Sequence, residues 1–255
     1  MDTGPLFTGV GVALVTLFDD TGADDAEATA GHAARLVDEG VRAVVVAGST
    51  GEADTLDADE RRRLLDAVRA RVSGVPVLAG TGGAWAGEAV RRTVTARDGG
   101  ADAALVLSPR RIADPRPYYR AVAAAAGGLP VLGYHYPVAA PPGIPVELLP
   151  ELPIAGCKDS SGDPDRLLRT LSSWDGTVYV GSSSILSFAG PLGCAGAILA
   201  LANAEPAGCA AAFAGDPTAQ RELTAAHLAA ARDFPAGLKQ LVADRYGTSP
   251  VCRLG

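Results

Sequence analysis

The chain has 255 residues, enough for one large domain or two small ones. Hydrophobic residues make up 48% and aromatics only 5%, so a sizeable core must be built from Ala, Val and Leu, which suits tight layers of helix on sheet. A formal charge of −7 excludes the basic footprint of a nucleic-acid binder, and no apolar run reaches membrane-spanning length. The opening Met1-Asp2-Thr3-Gly4-Pro5 lacks the basic and apolar regions of a secretion signal, so a cytoplasmic protein is expected.

Short apolar runs alternate with amphipathic segments from end to end. The first run, 10–17, is followed by a predicted helix over 26–39. After the second run, 43–47, a helix is predicted over 57–72: Leu64, Leu65, Val68 and Val72 share a face, behind Asp57 as N-cap and Glu60 three residues on. Arg61-Arg62-Arg63 reads as the solvated face of that helix. Runs at 75–79 and 103–107 precede helices over 87–98 and 117–126, and the run at 130–134 leads into a Pro-rich connection, 138–153, with a short helix at best. The run at 154–157 precedes a helix over 163–173, where Asp163 caps, Pro164 takes the first helical position, and Leu167, Leu168 and Leu171 form the stripe. Runs at 177–180 and 195–199 and a helix over 205–214 complete the alternation. The runs are rich in Val, Leu and Ile and apolar on successive residues, as strands covered on both faces are.

This alternation predicts an α/β fold, a (β/α)₈ TIM barrel over 7–203 with a short C-terminal helical extension over 204–255 that includes helices at 218–231 and 234–246. No linker marks a second domain, and no G-x-G-x-x-G follows the first run, which argues against an open doubly wound sheet. The four cysteines, Cys157, Cys194, Cys209 and Cys252, have no metal or redox spacing; one in a strand and two in Ala/Gly-rich stretches read as small buried hydrophobes.

In such a barrel the chemistry lies at the C-terminal ends of the strands. The chain keeps only two lysines, Lys158 and Lys239, against twenty arginines. Lys158 ends the sixth run, where a nucleophilic amine would be presented; arginine stays protonated and could not replace it. An ordinary strand-end lysine in a salt bridge is the competing reading. Lys239, in a polar helical stretch, reads as a solvated surface lysine. Tyr134 ends the fifth run and can shuttle protons, while Ser49 and Thr50, between Gly48 and Gly51, can grip a carboxylate. His135 faces away from Tyr134's side of the strand and reads as a packed residue, and His32 and His227 lie on helices without a role. The strand ends supply too few ligands for a metal. Together these residues suit imine chemistry on a 2-keto acid.

Gly48-Ser49-Thr50-Gly51-Glu52, followed by Thr55-Leu56 and Glu60, is similar to a G-T-T-G-E-x-x-T-L…E signature; Tyr134-His135-Tyr136-Pro137 to Y-N-x-P; and Gly156-Cys157-Lys158-Asp159-Ser160-Ser161-Gly162 to G-x-K-D-S-S-G. In this order and spacing, from residue 7 to 203, the chain resembles the dihydrodipicolinate synthase/N-acetylneuraminate lyase family. The resemblance implies a class I lyase that forms an imine between Lys158 and pyruvate or another 2-keto acid, without metal or organic cofactor. It implies Tyr134 for proton transfer, Ser49 and Thr50 for the carboxylate with Thr50 also in the relay, and Gly181 and the backbone of Ile198 at the pocket border. It also implies a homo-oligomer, dimer or tetramer, whose partners are otherwise a 2-keto acid and an aldehyde. Three departures stand out: Arg110 and Arg111 replace a tyrosine pair, Ala139 replaces an arginine that grips a second carboxylate, and the C-terminal helical region is short. The first two favour an aldolase for 4-hydroxy-2-keto acids. The alternatives are the dihydrodipicolinate (4-hydroxy-tetrahydrodipicolinate) synthase itself or a non-catalytic keto-acid binder. Arg111, or Arg110, is a candidate for the missing carboxylate grip.

Overall fold

The structure, a computed structural model, describes residues 4–254. Eight parallel strands pair in chain order: β1 (Gly9–Ala13), β2 (Val44–Val46), β3 (Val77–Gly80), β4 (Ala103–Leu107), β5 (Val131–His135), β6 (Gly156–Asp159), β7 (Thr177–Val180) and β8 (Gly196–Leu199). β8 pairs with β1, so the sheet closes as the expected (β/α)₈ barrel. The crossovers carry α1 (Ala26–Asp38), α2 (Ala58–Arg71), α3 (Ala86–Asp98), α4 (Arg116–Ala126), α5 (Pro164–Ser173) and α6 (Leu186–Ala189). The Pro-rich connection after β5 holds only a 3₁₀ turn, Val146–Glu151. After β8 come α7 (Pro206–Phe213), α8 (Pro217–Glu222), α9 (Thr224–Arg232) and α10 (Ala236–Tyr246).

Consecutive strand residues face opposite ways, so each strand serves two layers. Val45, Leu105, Leu132, Tyr134 and Ile198 pack inside the barrel, whereas Val44, Val46, Ala104, Val106 and Val131 pack outward with the helices. Phe7 enters the barrel from below and stacks on Tyr179, with ring centroids 4.6 Å apart. Gly11 and Gly196 make room for it, since a Cβ at either would lie 3.0 or 3.2 Å from the Phe7 ring. Asn203 stitches the β8–β1 seam: its amide donates to the carbonyls of Ala13 (2.7 Å) and Ala200 (2.8 Å), and its oxygen accepts from Val15 N–H (3.1 Å). The predicted capping box of α2 is present, with Asp57 and Glu60 bonded reciprocally.

Several expectations need correction. β1 ends at Ala13 rather than 17, because Val15 and Leu17 give their amides to the side chains of Asn203 and Thr29 instead of the sheet. The helix expected over 218–231 is two, α8 and α9, with Leu223 between them. α6 was not foreseen, since four residues are too few to show a period. Of the three consecutive arginines only Arg62 and Arg63 are solvated: Arg61 turns inward and donates to the carbonyls of Leu56, Gly80 and Ala53. Lys239 is no surface residue. It is fully buried on α10 against Glu52, at 2.5 Å, because a buried ammonium is tolerable only when paired. Its partner is remote in sequence.

Candidate active site

β5 and β6 run in a register that sets Tyr134 beside Lys158. Lys158 Nζ lies 4.2 Å from the centroid of the Tyr134 ring, and the two residues are only 4% and 5% exposed. Among the described residues no carboxylate pairs with Lys158. Burial therefore acts alone and lowers its pKa to about 7, which sets aside the salt-bridged reading. Burial also pushes the Tyr134 phenol up to about 12, while hydrogen bonds from Ser160 and Ser49 hold it partly down. Ser160 Oγ lies 3.5 Å from the phenol oxygen, and Tyr136 stacks on Tyr134 with 9° between the rings.

The supporting residues explain why this pair can form. At Gly181 a Cβ would overlap the Ser160 hydroxyl and lie 2.8 Å from Lys158 Cε, so only glycine leaves the lysine its space. Next to Lys158, Asp159 faces outward. It holds Arg166 Nε at 2.6 Å and the amide and hydroxyl of Ser161 at 2.8 and 2.6 Å, which fixes the loop carrying Ser160. His135 also faces outward and accepts the Ile144 amide at 2.9 Å, as a packed histidine should. After β2, residues Ser49–Gly51 make one 3₁₀ turn whose first amides have no partner within the turn. Thr16 Oγ1 anchors this turn by donating to the Gly51 carbonyl at 2.7 Å.

These elements enclose a cavity of about 170 Å³ in which Ser49, Thr50, Tyr134, Lys158 and Gly181 meet. Sequence reasoning had named all five. Ser160 and Tyr136, which the motifs contain without a role, and Phe234 also line the cavity. His227 of α9 also reaches the cavity, with Nδ1 2.8 Å from Ser183 Oγ. No sequence signal marks a helix residue outside the strand ends for such a place. A second cavity of about 200 Å³ shares Ser49, Tyr134, Tyr136 and Phe234 and extends past Gly48, Ala139 and Leu254 to Arg110.

The Ile198 side chain packs inside the barrel, and Ala200 and Leu201 line the cavity wall beyond β8. Arg111 is exposed and lines neither cavity: its backbone is left-handed (φ 63°) and its amide donates to the Pro141 carbonyl at 2.7 Å. Arg110 is the arginine that reaches the outer cavity, and its guanidinium lies 3.6 Å from the Asp54 carboxylate. Among the described residues no group of three or more His, Cys, Asp or Glu side chains could hold a metal ion.

The fold and site thus define a closed parallel barrel whose sixth strand delivers a buried amine beside a fifth-strand phenol. The chain belongs to the Dihydrodipicolinate synthetase family, whose sequence pattern matches residues 6–244. It is 50% identical over 131 residues to a 4-hydroxy-tetrahydrodipicolinate synthase of Synechococcus sp., a match covering 49% of this chain but only 43% of that protein. It is 34% identical over 242 residues to a DapA-like lyase of Halobacterium salinarum, covering 91% of this chain and 79% of the relative. A solved dihydrodipicolinate synthase from Aquifex aeolicus superposes with a TM-score of 0.85 at 28% identity, covering 97% of this chain and 91% of the other.

Proposed function

We propose that this chain is a class I carbon–carbon lyase that forms an imine between Lys158 and pyruvate or a 4-hydroxy-2-keto acid. The observation that carries the reading is the buried Lys158, with its pKa lowered to about 7, beside Tyr134. In this mechanism the neutral amine adds to the keto carbon. Tyr134, protonated at neutral pH, moves protons through Ser49 and Ser160 as the carbinolamine forms and loses water. The protonated imine accepts the electron pair of the breaking C3–C4 bond while the C4 hydroxyl gives up its proton, leaving an enamine and an aldehyde. Protonation of the enamine and hydrolysis release pyruvate. In reverse, the enamine attacks an aldehyde. The Ser49–Thr50 turn would hold the substrate carboxylate.

The names of the synthase relatives support a second reading, formation of 4-hydroxy-tetrahydrodipicolinate. Ala139 and Arg110 in the outer cavity favour the aldolase. We further read the chain as a single domain that works in the cytoplasm as a homo-oligomer, dimer or tetramer. Sedimentation velocity checks the assembly. Among the described residues no helix is long and apolar enough to cross a membrane.

The test is the intact mass after incubation with pyruvate and borohydride. One reduced pyruvate adduct on the wild type, absent from Lys158→Ala, is expected. No adduct with pyruvate or larger 2-keto acids would leave a keto-acid binder without the chemistry.

A further inference from the structure

Glu52 and Lys239 form an ion pair with no exposed side-chain surface on either partner (0%/0%), and neither has a part in the chemistry above. Glu52 directly follows the Ser49–Gly51 turn and has left-handed backbone, φ 54°. Such a conformation in a non-glycine residue persists only when its surroundings over-determine it. Here the surroundings are the C-terminal tail. Glu52 Oε1 takes Lys239 Nζ at 2.5 Å, and Oε2 accepts the backbone amides of Arg253 and Leu254, each at 2.7 Å. Lys239 gives another proton to the Val251 carbonyl at 2.7 Å. The Arg253 guanidinium adds bonds to Glu60 at 2.6 and 3.0 Å and to the Thr55 carbonyl at 3.1 Å, and lies 4.4 Å from the Phe18 ring centroid. Leu254 thereby stands in the wall of the outer cavity, with Ser49, Tyr134 and Tyr136.

We propose that segment 251–254 is a strap across the barrel mouth, and that Glu52 and Lys239 are positioning residues which, through it, fix the Ser49–Thr50 turn. The strap closes one side of the outer cavity and holds the turn in the shape that grips the substrate carboxylate. The gripping role rests on the function proposed above; the strap's hold on the turn does not.

Two variants test this: Glu52→Ala, and a chain lacking residues 251–255, which keeps both Glu52 and Lys239 should Glu52→Ala fail to fold. Amide hydrogen exchange over 48–56, without substrate, should speed up about tenfold in the folded variants, with the barrel strands unchanged. Unchanged exchange at 48–56 in the folded truncated chain overturns the proposal, whether or not the wild type reacts with pyruvate. Once the wild type shows its borohydride-trapped adduct, truncation should raise half-saturating pyruvate about tenfold, as for a weakened charged hydrogen bond, and leave the saturating trapping rate within about threefold. A lower saturating rate at unchanged half-saturation would overturn the positioning role.

Discussion

Lys158 and Lys239 are both buried, and they differ in what faces them. Lys239 has the Glu52 carboxylate to keep it charged, against the downward pull of burial. Lys158 faces the Tyr134 ring, with no carboxylate partner among the described residues, and has a pKa of about 7. The rate of imine formation should therefore rise with pH through about 7 and level off above it. The same shift costs stability. The unfolded lysine keeps its proton up to about 10.4, so between about pH 7 and 10 the unfolded chain binds more protons and stability rises with pH. Below about 7 the whole penalty is present. Lys158→Met should thus raise the free energy of unfolding in urea more at about pH 6 than at about pH 10, by a difference on the order of a few kcal/mol. Equal gains at both pH values would contradict the lowered pKa. Tyr134→Phe should cut turnover by roughly 10²–10⁴-fold while the fold persists. Arg110→Ala should raise KM for a dicarboxylate keto acid about tenfold, a charged hydrogen bond's worth, and Arg111→Ala should leave it unchanged. The reverse result would return the carboxylate grip to Arg111.

At the scale of elements, the strands and helices were legible because each has a local cause. Runs such as Ala103–Leu107 are apolar on successive residues because both faces of a parallel strand are covered, one by the barrel interior and one by helices. Asp57 and Glu60 announced the start of α2, and the reciprocal bonds are there, at 2.8 and 2.9 Å. Asp57→Ala should cost about 1 kcal/mol in urea unfolding, with the slope of the transition unchanged. What stayed hidden were elements whose cause is not local. The end of β1 is set by Asn203, and the inward turn of Arg61 by carbonyls of the 53–56 turn and of Gly80 on β3.

At the scale of the whole molecule, the C-terminal extension is tied to the first quarter of the chain. Tyr246 donates to Glu39 at 2.9 Å and lies edge-on to His32, Arg245 bonds Glu39, and Arg253 reaches Gly22 and Glu60. The extension and the barrel should therefore melt together, in one transition with equal calorimetric and van't Hoff enthalpies. A separate early transition would make the extension an independent unit.

The sequence by itself determined the barrel, since burial on two faces and helix caps are written in neighbouring residues. It also named five residues that meet in one cavity, because a parallel barrel sends every strand's C-terminal end to the same face. Only the tertiary structure decided which arginine reaches the neighbouring outer cavity, that the Ile198 side chain packs inside the barrel, and that the second lysine is buried. Those outcomes depend on partners far apart in the chain, and a side chain's charge and spacing do not say which remote group will meet it. The lowered pKa of Lys158 has the same origin: it follows from burial, with no facing carboxylate among the described residues to offset it, and that is a property of the packed barrel.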